Sequence, residues 1–400
     1  MRIDMFMPGL RGDALGASVH DDFAGAVRQL GHTFRIVTTA SGAARANWTS
    51  VGSSPAWRAV DRALSPWSRT RALLSSAAAL SEHLDRDGDR IDVLHEEVAY
   101  PFAASAALAV GARRWRGLLA VTPMGEDTLV HEPSSYGFRR HVVPRWLVAR
   151  TLRGAGGIRC ISPLHERVIA SIAPDVPRRV IPLNVNASIV AMSSENADAR
   201  AARRADARAT LDGLFHTAGR PIVLSLGRLH PFKGIDVLVR AMRHIPDATL
   251  VIAGPSLRLK TTGDEAGRLA GLVDRYELRD RVRLVGPVRP EMAPIFLAAA
   301  DVLAVPSHLE SLNKVCVEAA AVGTPFVVTD STGISAWVGA LPVGSVVPSG
   351  DDRALAEGIR ATLGRAAPAM SDTRAFVAPF TPERVARQVC AFYEELLAGR

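Results

Sequence analysis

Two glutamates, Glu310 and Glu318, are eight positions apart in the stretch SHLESLNKVCVEAAAVG, and Lys314 lies between them. The apolar runs DVLAVP and TPFVVTD flank this stretch, which is not typical of a solvated surface helix. A helix that begins near Ser311 has free backbone N–H groups at its N-terminus, and these attract an anion. Since a carboxylate accepts hydrogen bonds from neighbouring sugar hydroxyls, we expect Glu310 beside a sugar and Glu318 on a ribose.

A second group of charged residues follows the predicted strand PIVLSLG, in the loop GRLHPFKGID. Gly227 ends the strand, Arg228 and Lys233 bracket the loop, and Gly234 opens the next helix. Lysine occurs only three times in the chain, so a lysine here is not an interchangeable positive charge. Two cations beside a helix N-terminus are typical of a diphosphate site, although a solvated loop remains the alternative.

A third loop follows the run VRLVG, where Gly286 and Pro287 form a turn that would lie against a flat base. Each of the three loops is a weak signal alone, but they follow successive predicted strands. Ligands of open α/β sheets bind at the carboxyl ends of the strands. The three loops together therefore predict a nucleotide-sugar, with its hexose, diphosphate, ribose and base bound in that order.

Strand-like and helical stretches alternate along the whole chain, which predicts parallel strands joined by crossover helices. The pattern stops in a polar, charged segment near 187–212 and then restarts. With 400 residues, of which 48% are hydrophobic, we expect two doubly wound α/β lobes with a cleft between them. The predicted parts are a first domain at 1–186, a linker at 187–212, a second domain at 213–375 and a closing amphipathic helix at 376–400.

Composition excludes several classes of protein. The net charge of +8 would suit nucleic acid, but the arginines are spread from end to end and few aromatic residues accompany them. Three widely spaced cysteines indicate a reducing, cytoplasmic environment, and no apolar run approaches the length of a membrane span. The arginine-rich stretch GFRRHVVPRWLVARTLRGAG is a candidate membrane-surface element, but Pro144 interrupts it and we expect a solvated or acceptor-side helix.

The segments GRLHPFKGIDVLVRAM, VRLVGPV and ESLNKVCVEAAAVGTPFVVTD resemble the donor half of retaining glycosyltransferases of the GT-B fold, family 4. The resemblance is good over 215–365 and weak before that. It implies that Arg228 and Lys233 bind the diphosphate and that the backbone of Leu312 and Asn313 holds the phosphate. It also implies Glu310 near the donor hexose and Glu318 on the ribose.

The sequence departs from that family in three places. Asn313 stands where glycine is common, and Gly333 to Ala336 lack the glutamate of a usual G-x-x-E. In LLAVTPMGED, Gly125 and Asp127 match a T-x-H-G-x-D segment, but Met124 replaces its histidine. These departures bear on the identity of the sugar and on the reaction centre rather than on the fold.

The first lobe is expected to bind the acceptor. Its glycine-bearing loop PGLRGDALGAS resembles the family's loop that approaches the donor phosphate and the acceptor, which implies a donor contact at Gly16. That loop is not G-x-G-x-x-G, so a nicotinamide dehydrogenase is disfavoured. Alongside Glu310, Asp127 and His95 are predicted to be catalytic, His95 in partial place of the missing histidine. The predicted acceptor-binding residues follow three strands of this lobe, and they are Asp13, Glu96, Glu97, Met124, Glu126 and Asp127.

Because most of these acceptor-side residues are acidic, the sequence favours a small polyol bearing amines, such as an aminocyclitol of an antibiotic pathway. Pairing of some carboxylates with arginines such as Arg139 remains an alternative. The run DRDGDRID has D-x-D spacing, but it fails the calcium-loop pattern, so a solvated turn and no metal or other cofactor are expected. The predicted reaction is retaining hexosyl transfer from a UDP-linked donor, the rivals being a nucleotide-sugar epimerase or hydrolase and a non-catalytic nucleotide-sugar sensor.

Overall fold

A computed structural model describes residues 1–10, 17–40, 48–52, 54–113, 115–215, 217, 219–256, 258–259, 263–339 and 341–400. The chain forms two compact units, one of Met1–Asn184 with Pro382–Arg400 and the other of Val185–Thr381. None of the helices in the described part of the chain is long and apolar enough to cross a bilayer.

The first unit is built on a seven-stranded parallel sheet with the order β3-β2-β1-β4-β5-β6-β7. The switch point of this sheet, where successive strands are added on opposite sides, lies between β1 and β4. Two short strands, β3 and β7, are absent from the sequence prediction because three residues are too few for a periodic pattern. The strands are β1 (Arg2–Phe6), β2 (Thr33–Thr38), β3 (Trp48–Ser50), β4 (Val93–Glu97), β5 (Leu118–Thr122), β6 (Gly157–Cys160) and β7 (Arg178–Val180).

Six helices connect these strands and cover both faces of the sheet, as crossover connections between parallel strands require. They are α1 (Ala17–Gln29), α2 (Pro55–Ser68), α3 (Leu73–Asp87), α4 (Ala104–Arg113), α5 (Val142–Arg153) and α6 (Pro163–Ile172). On one face, Leu80 and Leu84 of α3 pack in a core with Leu94, and the core on the other face includes Ile3 and Phe23.

The second unit is built on a six-stranded parallel sheet with the order β12-β9-β8-β13-β14-β15. Its strands are β8 (Ile222–Leu226), β9 (Thr249–Ala253), β12 (Val282–Gly286), β13 (Val302–Val305), β14 (Phe326–Thr329) and β15 (Gly344–Val347), and a separate ribbon pairs β10 (Arg258–Leu259) with β11 (Gly263–Asp264). The switch point lies between β8 and β13. Both sheets are doubly wound, which confirms the predicted fold class.

The helices of this unit match the predicted alternation after β8, and they include two that precede the sheet. They are α7 (Ala187–Met192), α8 (Ala197–Phe215), α9 (Ile235–Ala241), α10 (Glu265–Arg275), α11 (Ala293–Ala299), α12 (Lys314–Val322), α13 (Ser335–Val338), α14 (Asp352–Leu363) and α15 (Met370–Val377). The final helix, α16 (Pro382–Ala398), belongs to the first unit, where Val389, Phe392 and Tyr393 join the core that contains Ile3 and Phe23.

The charged segment 187–212, which the sequence analysis treats as a linker, is helical and lies within the second unit. The arginines of this segment attach it to the second unit. Arg204 and Arg208 of α8 donate to Asp301, just before β13, at 2.7 and 2.6 Å. Arg203 donates to the carbonyl of Val322 at the end of α12, so it satisfies a carbonyl that the helix leaves unpaired.

Candidate functional site

The loop after β8 is shaped by two glycines that no other residue can replace without strain. Gly227 has φ of +150° and Gly234 has φ of +63°. A Cβ added at Gly234 would lie 2.1 Å from the carbonyl oxygen of Pro306, so glycine allows this loop to approach the loop after β13. The side chain of Leu229 in this loop is buried in the core, and its backbone N–H donates to the Pro255 carbonyl at 2.9 Å, so both contacts fix the loop. Arg228 is exposed, and Lys233 ends the turn Pro231–Lys233.

The loop after β13 is fixed by backbone hydrogen bonds on both sides. His308 N donates to the Phe232 carbonyl at 2.8 Å, which ties it to the loop after β8. On the other side, Gly333 N donates to the Glu310 carbonyl and Ile334 N to the Leu312 carbonyl, each at 2.9 Å. The segment that departs from the usual G-x-x-E therefore positions the Glu310 backbone.

Asn313 precedes α12 in a left-handed conformation, with φ of +80°. Asparagine is one of the few residues besides glycine that adopt positive φ readily, so this departure from the family pattern preserves the backbone shape. The first turn of α12 then offers backbone N–H groups that the helix itself does not use. Arg228, Lys233 and Asn313 line one pocket at the switch point between β8 and β13. That this pocket binds a phosphate stays a prediction.

Ser307 lines the same pocket, and the sequence analysis did not select it. The residue is 1% exposed, and its Oγ has no hydrogen-bond partner within the described residues. The Ser307 carbonyl, by contrast, accepts from Thr329 Oγ1 at 2.5 Å and from Ser331 Oγ at 2.8 Å. A buried hydroxyl without a partner is costly, and a ligand in this pocket would supply one. Its position directly after β13 was the only available sequence signal.

Lys233 Nζ donates to Glu310 Oε2, and the two side chains are about equally exposed, at 19% and 18%. The cation also lies 5.2 Å from the ring centroid of Phe232. The pair places a cation and a carboxylate side by side at the carboxyl ends of β8 and β13. One ligand could therefore present a phosphate to the cation and a sugar hydroxyl to the carboxylate.

Glu318 is partly buried on α12, one turn after Lys314. Burial raises the pKa of Glu318, and the Lys314 cation opposes that rise. The buried Cys316 thiol lies among three predicted site residues: burial raises its pKa well above the ordinary value, Glu310 and Glu318 add to the rise, and Lys233 lowers it. Glu310 from the loop after β13, Glu318 of α12 and Lys233 from the loop after β8 therefore all lie near this thiol.

Gly286 ends β12, two strands away from β8, with φ of +79°. Its carbonyl accepts from Gly254 N at 2.7 Å. A Cβ at Gly254 would lie 1.8 Å from the Gly227 carbonyl oxygen, so only glycine allows the ends of β8, β9 and β12 to approach this closely. The sequence analysis did not select Gly254. The structure places Gly286 at the predicted edge of the sheet.

In the first unit, His95 is a core residue. It is fully buried on β4, and its two ring nitrogens pair with Tyr393 Oη at 2.5 Å and Thr122 Oγ1 at 3.3 Å. Burial lowers the pKa of His95 to about 3, so the ring is neutral. The structure corrects the catalytic expectation for His95, because its polar atoms are used in joining α16 to the sheet.

Asp127 is also fully buried, and its carboxylate accepts from backbone N–H groups of Ala99, Met124 and Gly125, the last at 2.8 Å. Burial raises the pKa of Asp127, and these hydrogen bonds oppose the rise. This carboxylate joins the turns after β4 and β5. The structure thus gives Asp127 a positioning role instead of the expected place on an open, acidic rim.

Glu96, at the carboxyl end of β4, is fully buried, and neither of its carboxyl oxygens has a partner in the described part of the chain. Burial, together with the neighbouring Glu97 charge, raises the pKa of Glu96 well above the ordinary value of 4.5. Glu97 is 7% exposed and lies 3.9 Å from His20 Nε2. Glu96 therefore does not line an open rim as predicted.

The other predicted residues of the first unit differ in accessibility. Met124 is half-buried, Glu126 is exposed, and Asp13 and Gly16 lie outside the described residues. No group of three or more metal-ligating side chains is found among the described residues. In the D-x-D run, Asp85 pairs with Arg113 at 2.8 Å and Asp87 with Arg35 at 3.0 Å. That no metal is required stays a prediction.

Two solved structures share the fold of the whole chain. Sucrose-phosphate synthase from Thermosynechococcus elongatus matches with a TM-score of 0.75 and 23% identity over 100% of both chains. Anabaena HepE in complex with UDP and glucose matches with a TM-score of 0.73 and 18% identity, over 99% of this chain and 100% of the other. The fold is therefore GT-B.

Residues 211–368 match the family model of the glycosyl transferases group 1. A D-inositol 3-phosphate glycosyltransferase from Mycolicibacterium gilvum (strain PYR-GCK) is 43% identical over 141 residues, 35% of this chain. That match spans 29% of the relative's length. The second unit thus matches a glycosyl transferases group 1 domain on the GT-B fold, which confirms the resemblance of its motifs to GT-B glycosyltransferases, whereas retention stays a prediction.

Proposed function

We propose that the protein transfers a hexose from a nucleoside diphosphate sugar to a small polar acceptor, with retention at the anomeric carbon. The observation that carries the proposal is the pocket at the switch point of the second sheet, where Arg228, Lys233, Ser307 and Asn313 meet before the first turn of α12. Guanidinium, ammonium, hydroxyl and helix N–H groups together match the oxygens of a diphosphate.

We propose UDP as the nucleotide of the donor. Support comes from Anabaena HepE, of the same fold, whose complex contains UDP and glucose. In the proposed complex, Glu318 accepts from the ribose hydroxyls, and Gly286 lies on the side of the base. Glu310 accepts from a hydroxyl of the hexose, and the Lys233 cation then turns from Glu310 toward the diphosphate.

The proposed chemistry is a front-face displacement. The bond between the anomeric carbon and the diphosphate oxygen breaks, and a bond from the acceptor oxygen forms on the same face. The acceptor proton passes to the leaving phosphate oxygen. Arg228, Lys233 and the α12 N-terminus stabilise the negative charge that develops on the leaving group, so the protein supplies charge compensation where a metal would otherwise do so.

For the acceptor we propose a small cyclitol or similar polyol that binds to the first unit. We keep Glu97, Glu126 and Met124 in the proposed acceptor site, of which Glu126 is exposed and Glu97 only 7% exposed. The burial of Glu96 and Asp127 reduces the negative charge available for an amine. An aminocyclitol therefore has weaker support than the acidic strand ends alone indicated. A phosphorylated inositol is the second candidate, because the curated relative is named for D-inositol 3-phosphate.

One experiment tests the function. The protein is incubated with UDP-hexoses, each alone and with an aminocyclitol, its hydroxyl analogue or an inositol phosphate, and the products are separated by chromatography and identified by mass and NMR. A hexosylated acceptor supports the transferase. Free hexose without acceptor product identifies a hydrolase, an isomeric UDP-sugar identifies an epimerase, and binding without turnover identifies a sensor.

A further inference from the structure

Helix α2 exposes the side chains that a helix of this kind normally buries. Trp57, Val60, Leu64 and Trp67 lie at helical spacing, and they are 45%, 39%, 41% and 65% exposed. The contact of α2 with α3 is instead polar, since the buried Asp61 carboxylate accepts from the backbone N–H groups of Leu74 and Ser75 and from the Ser75 hydroxyl. Within the part of the chain that the structure describes, the apolar stripe of α2 is thus uncovered and available for contact with another surface.

Helix α5 continues this exposed apolar surface. Val142, Val143 and Trp146 are 72%, 40% and 59% exposed. Helices α2 and α5 contact each other directly. We call the seven residues the α2–α5 face: Trp57, Val60, Leu64, Trp67, Val142, Val143 and Trp146. They are seven of the thirteen large apolar side chains that are exposed in the described part of the chain.

The charge around this face is strongly positive. The stretches 54–71 and 138–153 hold nine arginines and one acidic residue, the buried Asp61, which gives them a net charge of +8. One of these arginines, Arg140, pairs with Glu132 just outside them at 2.8 Å. The whole chain also has a net charge of +8, so the two stretches that carry the exposed tryptophans hold an excess of positive charge equal to that of the whole protein.

Trp146 also borders a pocket of about 660 Å³ in the first unit, together with Trp115, Arg150 and Arg153. The Arg150 guanidinium lies 5.7 Å from the centroid of the Trp146 ring. The residues that line this pocket include no aspartate or glutamate. The apolar face thus continues into a basic recess that suits a phosphate headgroup.

We propose that the α2–α5 face docks on a bilayer surface that contains anionic phospholipids. Tryptophans favour the boundary between headgroups and acyl chains, and nearby arginines attract anionic lipids. A second copy of the chain fits less well, because each copy would bring the same concentrated positive charge to the interface. The inference concerns where the protein acts and does not depend on which sugar it transfers.

The test is cosedimentation of the full chain with phosphatidylcholine vesicles, with and without phosphatidylglycerol. We expect binding only when phosphatidylglycerol is present, and weaker binding as salt rises. Trp67→Ser combined with Trp146→Ser should weaken binding at least tenfold. Arg145→Gln should weaken it by about fivefold. Leu214→Ser and Arg365→Gln, exposed residues of the second unit, are the matched controls and should bind as the unaltered protein does.

Thermal unfolding of each variant confirms that it is folded before its binding is compared. Failure of the unaltered protein to bind phosphatidylglycerol vesicles would overturn the proposal, as would equal binding to pure phosphatidylcholine or equal loss in the controls. Light scattering without lipid supplies a further check. If the chain is a dimer that Trp67→Ser converts to monomer, the face contacts a second copy and the bilayer proposal is wrong.

Discussion

Lys233 and Glu310 form an ion pair at the switch point of the second sheet, although 77 positions separate them along the chain. Each follows one of the two strands that meet there, Lys233 after β8 and Glu310 after β13. The arrangement keeps the cation and the carboxylate within reach of the same ligand. Their separate contributions to donor binding and to turnover are therefore measurable.

Replacing either cation of the predicted diphosphate site should weaken donor use. Lys233→Ala and Arg228→Ala each remove charge-assisted contacts worth roughly 1.5–3 kcal/mol, which corresponds to about 10- to 100-fold in kcat/KM for the donor. Steady-state kinetics with a UDP-hexose measures this. Arg365→Ala, another exposed arginine of the second unit, should have no effect. Full donor use in both site variants would show that the diphosphate binds elsewhere.

Glu310→Gln should separate binding from catalysis. The neutral amide no longer competes for the Lys233 cation, so UDP affinity should stay the same or rise by up to about fivefold, which corresponds to the upper end for a partly exposed ion pair. Turnover should fall at least about 100-fold if Glu310 contacts the reacting sugar. Calorimetric titration with UDP and turnover assays measure the two effects. Unchanged turnover would remove Glu310 from the reaction centre.

Asp127→Asn should destabilise the first unit. The NH2 group that replaces one carboxylate oxygen cannot accept a hydrogen bond, so either the Ala99 or the Gly125 backbone N–H is left buried and unpaired, at a cost of about 2–3 kcal/mol. Thermal unfolding measures the loss, and the exposed Glu126→Gln is the control. A variant with unaltered stability but impaired use of amine acceptors would instead restore Asp127 to the acceptor site.

Glu96→Gln should change how stability depends on pH. Because burial raises the pKa of Glu96 well above 4.5, the folded chain keeps a proton that the unfolded chain releases as pH rises past that value. Glu96 therefore costs stability at neutral and alkaline pH and little at pH values below its ordinary pKa. Melting temperatures of the two proteins should agree near pH 4 and diverge toward pH 8, with Glu96→Gln the more stable. A constant difference across this range would contradict the raised pKa.

The sequence was sufficient to predict the two sheets and to select the loops of the proposed nucleotide site. Buried parallel strands are continuous apolar runs, and ligands bind after their carboxyl ends, so Arg228, Lys233 and Glu310 could be selected from their positions alone. Gly254 and Ser307 were missed because their importance depends on close approach and on an unpaired hydroxyl, neither of which a sequence displays.

The first unit was predicted less well, because a residue at a strand end can face the core or the solvent. His95 pairs with Tyr393, 298 positions away, and only the packing of α16 reveals that partner. The carboxylate of Asp127 is satisfied by backbone groups, which leave no trace in residue types. The arginines of α8 suggested a linker because Asp301, which pairs with Arg204 and Arg208, is about 90 positions further along.

The most direct test of the proposed transferase is product analysis with a UDP-hexose and a cyclitol acceptor. We predict UDP release that depends on the acceptor, an acceptor heavier by one hexosyl residue, and an NMR coupling that shows the anomeric configuration of the donor. Lys233→Ala should slow all three together. An inverted linkage would contradict the retaining displacement, and release of UDP with no acceptor product under any acceptor would contradict the transferase itself.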